Sequence, residues 1–393
     1  MRVLINALSA RHGGGQTYLN YLLGQLDDCP AEVVYVLTHG DLDLPDHPKV
    51  KAIRPTWPAL NPLARTVGEK LRLPRLLRDL SIDILFCPGG VIAARPPPGC
   101  LVVSMFQNML PFDLGQAFRY GFRLITLRLV LLRRVLLDGM RKADLTIFIS
   151  DHARDVIRAL GGIRPQDPVI PHGLSRQFKI DPERLPPRSP AAPPRPYILY
   201  VSLLDPYKNH LEVVQAYALL RQRRPDVPDL VFVGKADTPH GASVRRAIQH
   251  AGLAHAIHVL GQVPHGDLPA LHAHAVVNLF ASSCENCPNI LIEAMGAGRP
   301  MAVSDVQPMP EFALDAVEYF DPRSPASIAD ALGRLLDDPA RAEALGGQAR
   351  ALAHRHDWQA TARRTWDALG GLYAAGRDPG TKRLGPHSPK KDG

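Results

Sequence analysis

Short apolar runs rich in β-branched residues alternate with longer stretches whose apolar positions recur at helical spacing, starting at the first residue. In the first half, Val3–Ala7, Val33–Thr38, Ile84–Cys87, Cys100–Met105, Leu145–Ser150 and Val169–Pro171 read as strands. Between them, Tyr18, Leu19, Leu22, Leu23 and Leu26 share one helical face, and a longer helical pattern covers about 114–142. Ser150 is placed to cap a further helix. This rhythm predicts an α/β class with parallel sheets. From Asp181 to Pro196 the chain is proline-dense, which excludes regular elements and predicts an extended connector. Beyond it the alternation resumes, with strands at about 197–202, 230–234, 256–260, 275–280, 301–304 and 317–320, then helical patterns at 324–337, 339–354 and 357–373. The organisation expected is therefore a first Rossmann-like domain over 1–180, a linker over 181–196, a second doubly wound domain over 197–356, a last helix over 357–375 and a disordered basic tail over 376–393. Two such halves facing each other would leave a cleft beyond the carboxyl ends of their strands, where ligands of open parallel sheets bind.

Composition agrees with a folded enzyme-sized chain: 393 residues, 46% hydrophobic and 21% charged. The net charge of +8 is concentrated. Residues 119–144 carry Arg119, Arg123, Arg128, Arg133, Arg134, Arg141 and Lys142 against Asp138 and Asp144, and the tail supplies the remainder. A nucleic-acid-binding protein would be expected to spread its cations over a face of the folded body, so no nucleic-acid partner is expected. The leucines of 119–142 suit a helix packed on a sheet; its positive charge equally suits contact with an anionic membrane or a lipid phosphate. Five cysteines give no disulfide framework and suit a reducing compartment, so a cytoplasmic protein is expected, at most peripheral to the inner face of the cell membrane. No apolar run reaches the roughly 18 residues of a membrane span, and the opening MRVLINAL reads as a strand, not a cleavable signal.

Two stretches carry candidate chemistry. Gly13-Gly14-Gly15 follows the first strand and precedes a helix, so its backbone N–H groups can approach a phosphate or sugar without a Cβ in the way. It does not fit the dinucleotide fingerprint, and a flexible turn explains it equally well. The richer stretch runs from Ser282 to Pro300. A strand ends in a polar loop, Pro288 suits a first helical position, and Ile290, Leu291 and Ala294 continue the helix. The free N–H groups from about Asn289 to Leu291 would hold a diphosphate, Glu285 would accept from sugar hydroxyls, and Glu293 would reach a ribose. Taken alone, two acids of this kind are more often solvated than functional. Cys284 and Cys287 have no second pair or His pair to complete a zinc site, and no metal is expected.

The span from Glu285 to Glu293 resembles the E-x7-E signature of GT-B glycosyltransferases, specifically retaining family 4 (glycosyl transferases group 1). Around it, Ala294 to Pro300, Ser304-Asp305 with Pro310-Glu311, Leu260 to His265, and Val169 to Gly173 resemble further segments of that family. The resemblance implies a GT-B fold of two Rossmann-like domains. It also implies transfer of a hexose from a nucleotide diphosphate sugar to a hydroxyl of a glycan or lipid-linked acceptor, with retention and without a bound metal or other cofactor. In such enzymes the acceptor attacks from the face that the nucleotide leaves, and the departing phosphate takes the proton. On this reading Glu285 and Lys208 are catalytic, while Glu293, Asn286, Asn289, Ile290, Leu291, Val263 and Gln262 bind the donor. Gly14, Gly15, Gln107, Asn108 and His172 lie on the sugar or acceptor side. Two departures stand out: Leu203 occupies the position of an expected phosphate-binding Arg, and Gln107-Asn108 lies where the family often has a His. A sugar-nucleotide epimerase or a non-catalytic nucleotide-sugar scaffold can share the same fold.

Overall fold

The computed structural model describes residues 1–9, 14–40, 42–57, 61–121 and 124–377. Gly13, Arg123 and positions 378–393 of the tail, which figured in the sequence reading, lie outside the described residues. The chain forms two compact units: Met1–Phe112, Leu127–Gly173 and the chain from Trp358 make the first, and Asp113–Thr126 with Leu174–Asp357 the second.

In chain order the elements of the first half are β1 (Arg2–Asn6), α1 (Gly14–Leu23), β2 (Val33–Leu37), β3 (Val50–Ile53), α2 (Pro62–Asp79), β4 (Ile84–Cys87), β5 (Leu101–Phe106), α3 (Leu114–Phe118), α4 (Leu124–Lys142), β6 (Leu145–Phe148) and α5 (Asp151–Ala159). Six parallel strands run in the order β3-β2-β1-β4-β5-β6. β2 is buried at every position, as expected of a parallel strand covered on both faces. The predicted cap holds: Ser150 Oγ accepts from the Ala153 N–H at 3.1 Å.

The structure differs from the sequence pattern in four places. Val169–Pro171 is not a strand but a single bridge from Val169 to Phe148. β3 was not anticipated, because an edge strand reading Val-Lys-Ala-Ile with two exposed central residues shows no apolar run. α2 was masked by an internal proline, Pro74, and many charges. The long pattern over 114–142 breaks into α3 and α4, with Gly121 at φ +73° between them.

The second half continues with β7 (Tyr197–Val201), α6 (His210–Arg223), β8 (Asp229–Val233), α7 (Pro239–His250), β9 (Ile257–Gly261), α8 (Leu268–His274), β10 (Val277–Phe280), α9 (Asn289–Gly296), β11 (Met301–Ser304), α10 (Met309–Ala313), β12 (Glu318–Phe320), α11 (Pro325–Asp337) and α12 (Pro339–Ala353). Its six parallel strands run β12-β11-β10-β7-β8-β9. β7 and β8 are fully buried and form the middle of one large apolar core. The proline-dense stretch packs within this unit: the Arg188 guanidinium lies 5.7 Å from the centre of the Tyr197 ring, and His274 bonds the Pro186 carbonyl at 2.8 Å. The last helix, α13 (Trp358–Arg377), belongs to the first unit. It packs there on α1, with Trp366 Nε1 donating to the Leu22 carbonyl at 3.1 Å and the Tyr18 hydroxyl to Thr365 Oγ1 at 3.1 Å.

Both strand orders reverse direction once. In the second sheet the chain moves one way through β7, β8 and β9, then returns to add β10, β11 and β12 on the other side of β7. The switch point lies between β7 and β10, and the carboxyl ends of strands at such a point are where ligands of open parallel sheets bind. In the first sheet the equivalent point lies between β1 and β4.

Candidate functional site

The two loops at the switch point of the second sheet carry the residues singled out above. After β7, a short 3₁₀ turn over Pro206–Lys208 delivers Lys208, and after β10 the polar loop delivers Glu285. Lys208 Nζ forms an ion pair with Glu285 Oε1, across 77 residues of sequence. The lysine side chain is 7% exposed and the glutamate 16%. Nζ also lies 5.0 Å from the centre of the Tyr207 ring and 5.6 Å from that of Phe280. Burial, the largest single influence, pulls the ammonium pKa down; the charge of Glu285, with its hydrogen bond and the nearby Tyr200 and Cys284, outweighs it, and the net shift is upward. Lys208 is therefore a buried, fully charged cation. An ammonium has three donors, so one held by Glu285 leaves two for the oxygen atoms of a phosphate.

Asn209 explains how the two loops stay together. Its backbone is left-handed at φ +55°, and its Nδ2 donates to the Ala281 carbonyl and to Ser283 Oγ, each at 2.6 Å. Ser283 in turn donates its N–H to the Tyr207 carbonyl at 2.8 Å. Arg119 donates to Asn209 Oδ1 and forms an ion pair with Glu212 at 2.7 Å. Next to it is Tyr120; burial pushes the Asp205 carboxyl pKa up, and the Tyr120 hydroxyl opposes the shift. Nothing in the spacing of Asn209 or Arg119 signals these roles; the adjacency of Asn209 to Lys208 was the only hint. A third loop approaches at Gly234, where φ is +142° and an added Cβ would lie 2.1 Å from the Ser202 carbonyl oxygen. Only glycine lets the end of β8 lie against the end of β7.

α9 starts at Asn289, with Pro288 at the cap position and no side-chain cap, one residue later than expected. The Asn289 N–H donates to the Cys287 carbonyl at 2.9 Å, and that of Ile292 to the Pro288 carbonyl at 3.1 Å. The expectation of three available amides is thereby corrected: Asn289 is engaged, and Ile290 and Leu291 are the amides ahead of the Ile292 bond. Asn286 is buried in the loop, and burial pushes the Cys284 thiol pKa up. Glu293 faces His265, with 3.4 Å between Oε1 and Nε2. Gln262 is exposed, and Val263 packs at the edge of the core. Among the described residues no three His, Cys, Asp or Glu side chains converge as a metal site.

The first unit treats its candidates differently. Gly14 and Gly15 open α1 at the end of β1, beside that sheet's own switch point. Gln107 Nε2 donates to the Pro88 carbonyl at 3.0 Å, and Asn108 Oδ1 accepts from the Leu110 N–H at 3.2 Å. Both serve to fold the loop after β5. His172 is only 3% exposed, its ring 5.7 Å from that of Tyr18 and 5.1 Å from that of Trp358. It is packed among aromatic rings of the first unit.

Two doubly wound parallel sheets, one in each unit, are the architecture of the GT-B fold. Residues 181–352 match the family model Glycosyl transferases group 1, and residues 12–178 the model Glycosyltransferase Family 4. The chain belongs to glycosyltransferase family 4. A GDP-mannose-dependent alpha-(1-6)-phosphatidylinositol monomannoside mannosyltransferase of Mycobacterium tuberculosis is 26% identical over 397 residues, covering 95% of this chain and 97% of the relative. O-antigen chain mannosyltransferase B of Escherichia coli is 30% identical over 166 residues, 42% of each chain. Among solved structures, sucrose-phosphate synthase from Thermosynechococcus elongatus superposes with a TM-score of 0.73 at 20% identity, covering 95% of this chain and all of that one; the likeness is one of fold.

Proposed function

We propose that this glycosyltransferase moves a hexose, with mannose from GDP-mannose the first donor to test, to a hydroxyl of a lipid-linked or glycan acceptor with retention of anomeric configuration. The observation that carries this reading is the buried Lys208–Glu285 pair at the switch point, which joins the loop after β7 to the loop ahead of α9. The mannosyltransferase relative, matched along nearly the whole chain, supports the choice of donor. Lys208 and the Ile290 and Leu291 amides take the diphosphate, Glu285 the sugar, Glu293 the ribose, and Val263 with Gln262 the base. The acceptor O–H attacks the anomeric carbon as its bond to the diphosphate oxygen breaks. The proton passes to the departing phosphate on the same face, and the ammonium of Lys208 balances the growing negative charge. With Leu203 in place of an arginine, Lys208 carries that duty with the helix amides alone. Gly14 and Gly15 serve the acceptor side.

The acceptor is proposed to be membrane-borne, reached from the inner face of the membrane. On the outer side of α4, Leu127 is 57% and Leu131 52% exposed, with Val135 exposed beyond them and Arg128 and Arg134 between them. An apolar face set among arginines suits an anionic lipid surface. Among the described residues no helix is long and apolar enough to cross a membrane.

Incubation of the purified protein with GDP-, UDP- and ADP-sugars, with and without phosphoinositide and lipid-linked glycan acceptors, tests the reading. Acceptor-dependent nucleotide release and an α-linked product by NMR are expected. Conversion of the donor without acceptor would instead establish an epimerase, and binding without turnover a scaffold.

A further inference from the structure

We infer that His265 is a positioning residue for Glu293 and makes donor affinity depend on pH; the inference rests on the reading that Glu293 receives the ribose. The imidazole is 56% exposed and meets three groups on its protein side. Its Nε2 faces Glu293 Oε1 at 3.4 Å, its Nδ1 lies 2.8 Å from Gln177 Nε2, and the Phe178 ring meets it edge-on at 5.2 Å between centres. Glu293 is 15% exposed, so its carboxylate has few solvent partners and its orientation depends on what the protein offers. His265 faces Oε1, which leaves Oε2 to accept from a ribose hydroxyl.

The Gln177 amide suits both states of the ring. With its NH₂ toward Nδ1 it stabilises the neutral imidazole carrying its proton on Nε2; turned over, its carbonyl oxygen accepts from the Nδ1–H of the imidazolium. Nε2 thus carries a proton toward Glu293 in either state, but the contact becomes an ion pair only in the imidazolium. The hydrogen bond to Glu293 raises the His265 pKa above its usual value, burial opposes, and the charge of Glu293 adds to the rise. The other groups around the ring do not compete for the proton. From α8, His272 is buried with its pKa lowered to about 4, hence uncharged near neutrality, and Arg176 is the one charged residue of the 3₁₀ turn that brings Gln177 and Phe178. The hold on Glu293 is therefore tightest below the raised pKa of His265 and loosens as the pH climbs through it.

The test measures GDP-mannose binding to the full chain by calorimetry between about pH 5.5 and pH 8.5, across the range in which a histidine titrates. The diphosphate diester of a nucleotide sugar keeps its charge over this interval, so the ligand contributes no titration of its own. The wild type is expected to bind up to about fivefold more weakly at the upper end, where Glu293 is no longer oriented in advance by the imidazolium and must be ordered on binding. His265→Gln retains an amide donor without a titrating proton and should bind with near-constant affinity. Gln177→Glu should move the wild-type midpoint to higher pH. A flat wild-type profile, or an unchanged slope in H265Q, would overturn the inference. Glu293→Ala reports separately on the underlying reading. If E293A binds as well as the wild type, the ribose role fails; if it binds weakly while the wild-type profile is flat, only the role of His265 fails.

Discussion

Replacing Glu285 by Gln removes one charge of a buried pair and leaves Lys208 without its counter-ion. Breaking such a pair from one side costs about 3–5 kcal/mol in general, because the remaining charge has lost both water and partner. Glutamine keeps an acceptor oxygen near Nζ, which brings the expected loss down to about 2 kcal/mol. At roughly 2–4 °C per kcal/mol for a unit of this size, the melting temperature of E285Q should fall by about 4–8 °C in near-UV circular dichroism. Lys208→Met should cost a similar amount for the complementary reason. The pair has 7% and 16% exposure, so neither residual charge can recover its hydration without rearrangement. The double variant K208M/E285Q buries no charge at all and should melt within about 1 kcal/mol of the wild type, since replacing both partners is close to neutral. Nucleotide release, by contrast, should drop by roughly 10²–10³ in K208M and in the double variant alike, because neither has the ammonium that balances charge on the departing phosphate. A double variant as unstable as the sum of the two singles would refute the coupling, and with it the claim that Lys208 is held charged by Glu285. An E285Q protein with wild-type melting would do the same.

Three further outcomes follow from particular contacts. His272 is buried with a pKa lowered to about 4, so below its ordinary 6.5 the unfolded chain takes up a proton that the folded one refuses. Stability present above pH 6.5 should be lost by about 3 kcal/mol as the pH falls toward 4, and urea titrations of H272Q should lack that acid limb. Gly234→Ala must place a Cβ 2.1 Å from the Ser202 carbonyl oxygen in a backbone conformation that alanine avoids. It should lose at least about 2 kcal/mol in thermal unfolding, and a stable G234A protein would show the β8 turn to be looser than described. Reversal of Arg128 and Arg134 to Glu should cut co-sedimentation with phosphatidylglycerol vesicles more than tenfold at low salt, at about 1 kcal/mol per charge near the surface. Equal binding of wild type and variant, or equal binding to phosphatidylcholine, would remove the proposed membrane face.

The order of apolar runs and helical spacings already determined an α/β chain built twice over, because fully buried parallel strands such as Tyr197–Val201 must read as unbroken apolar segments. Capping and helix-start signals were equally local: Ser150 caps as its sequence context implies, and α9 starts within one residue of the expected place. Elements with no such local signature escaped, among them the half-exposed edge strand β3 and the proline-containing α2. The candidate site divides along the same line. Glu285, Glu293 and Lys208 were visible as residues in a pattern, but the pairing of Lys208 with Glu285 exists only because β10 returns to lie beside β7 and sets their loops together. The clamp made by Asn209 and the His265–Gln177 hold on Glu293 are likewise contacts across 72, 88 and 28 residues of chain. For the same reason the bonds of Gln107 and Asn108 within their loop and the packing of His172 against Tyr18 and Trp358 were not legible in the sequence. A side chain's chemistry is written in its own residue, whereas its partner and its access to solvent are set by strand order and packing, which no local stretch of the chain contains.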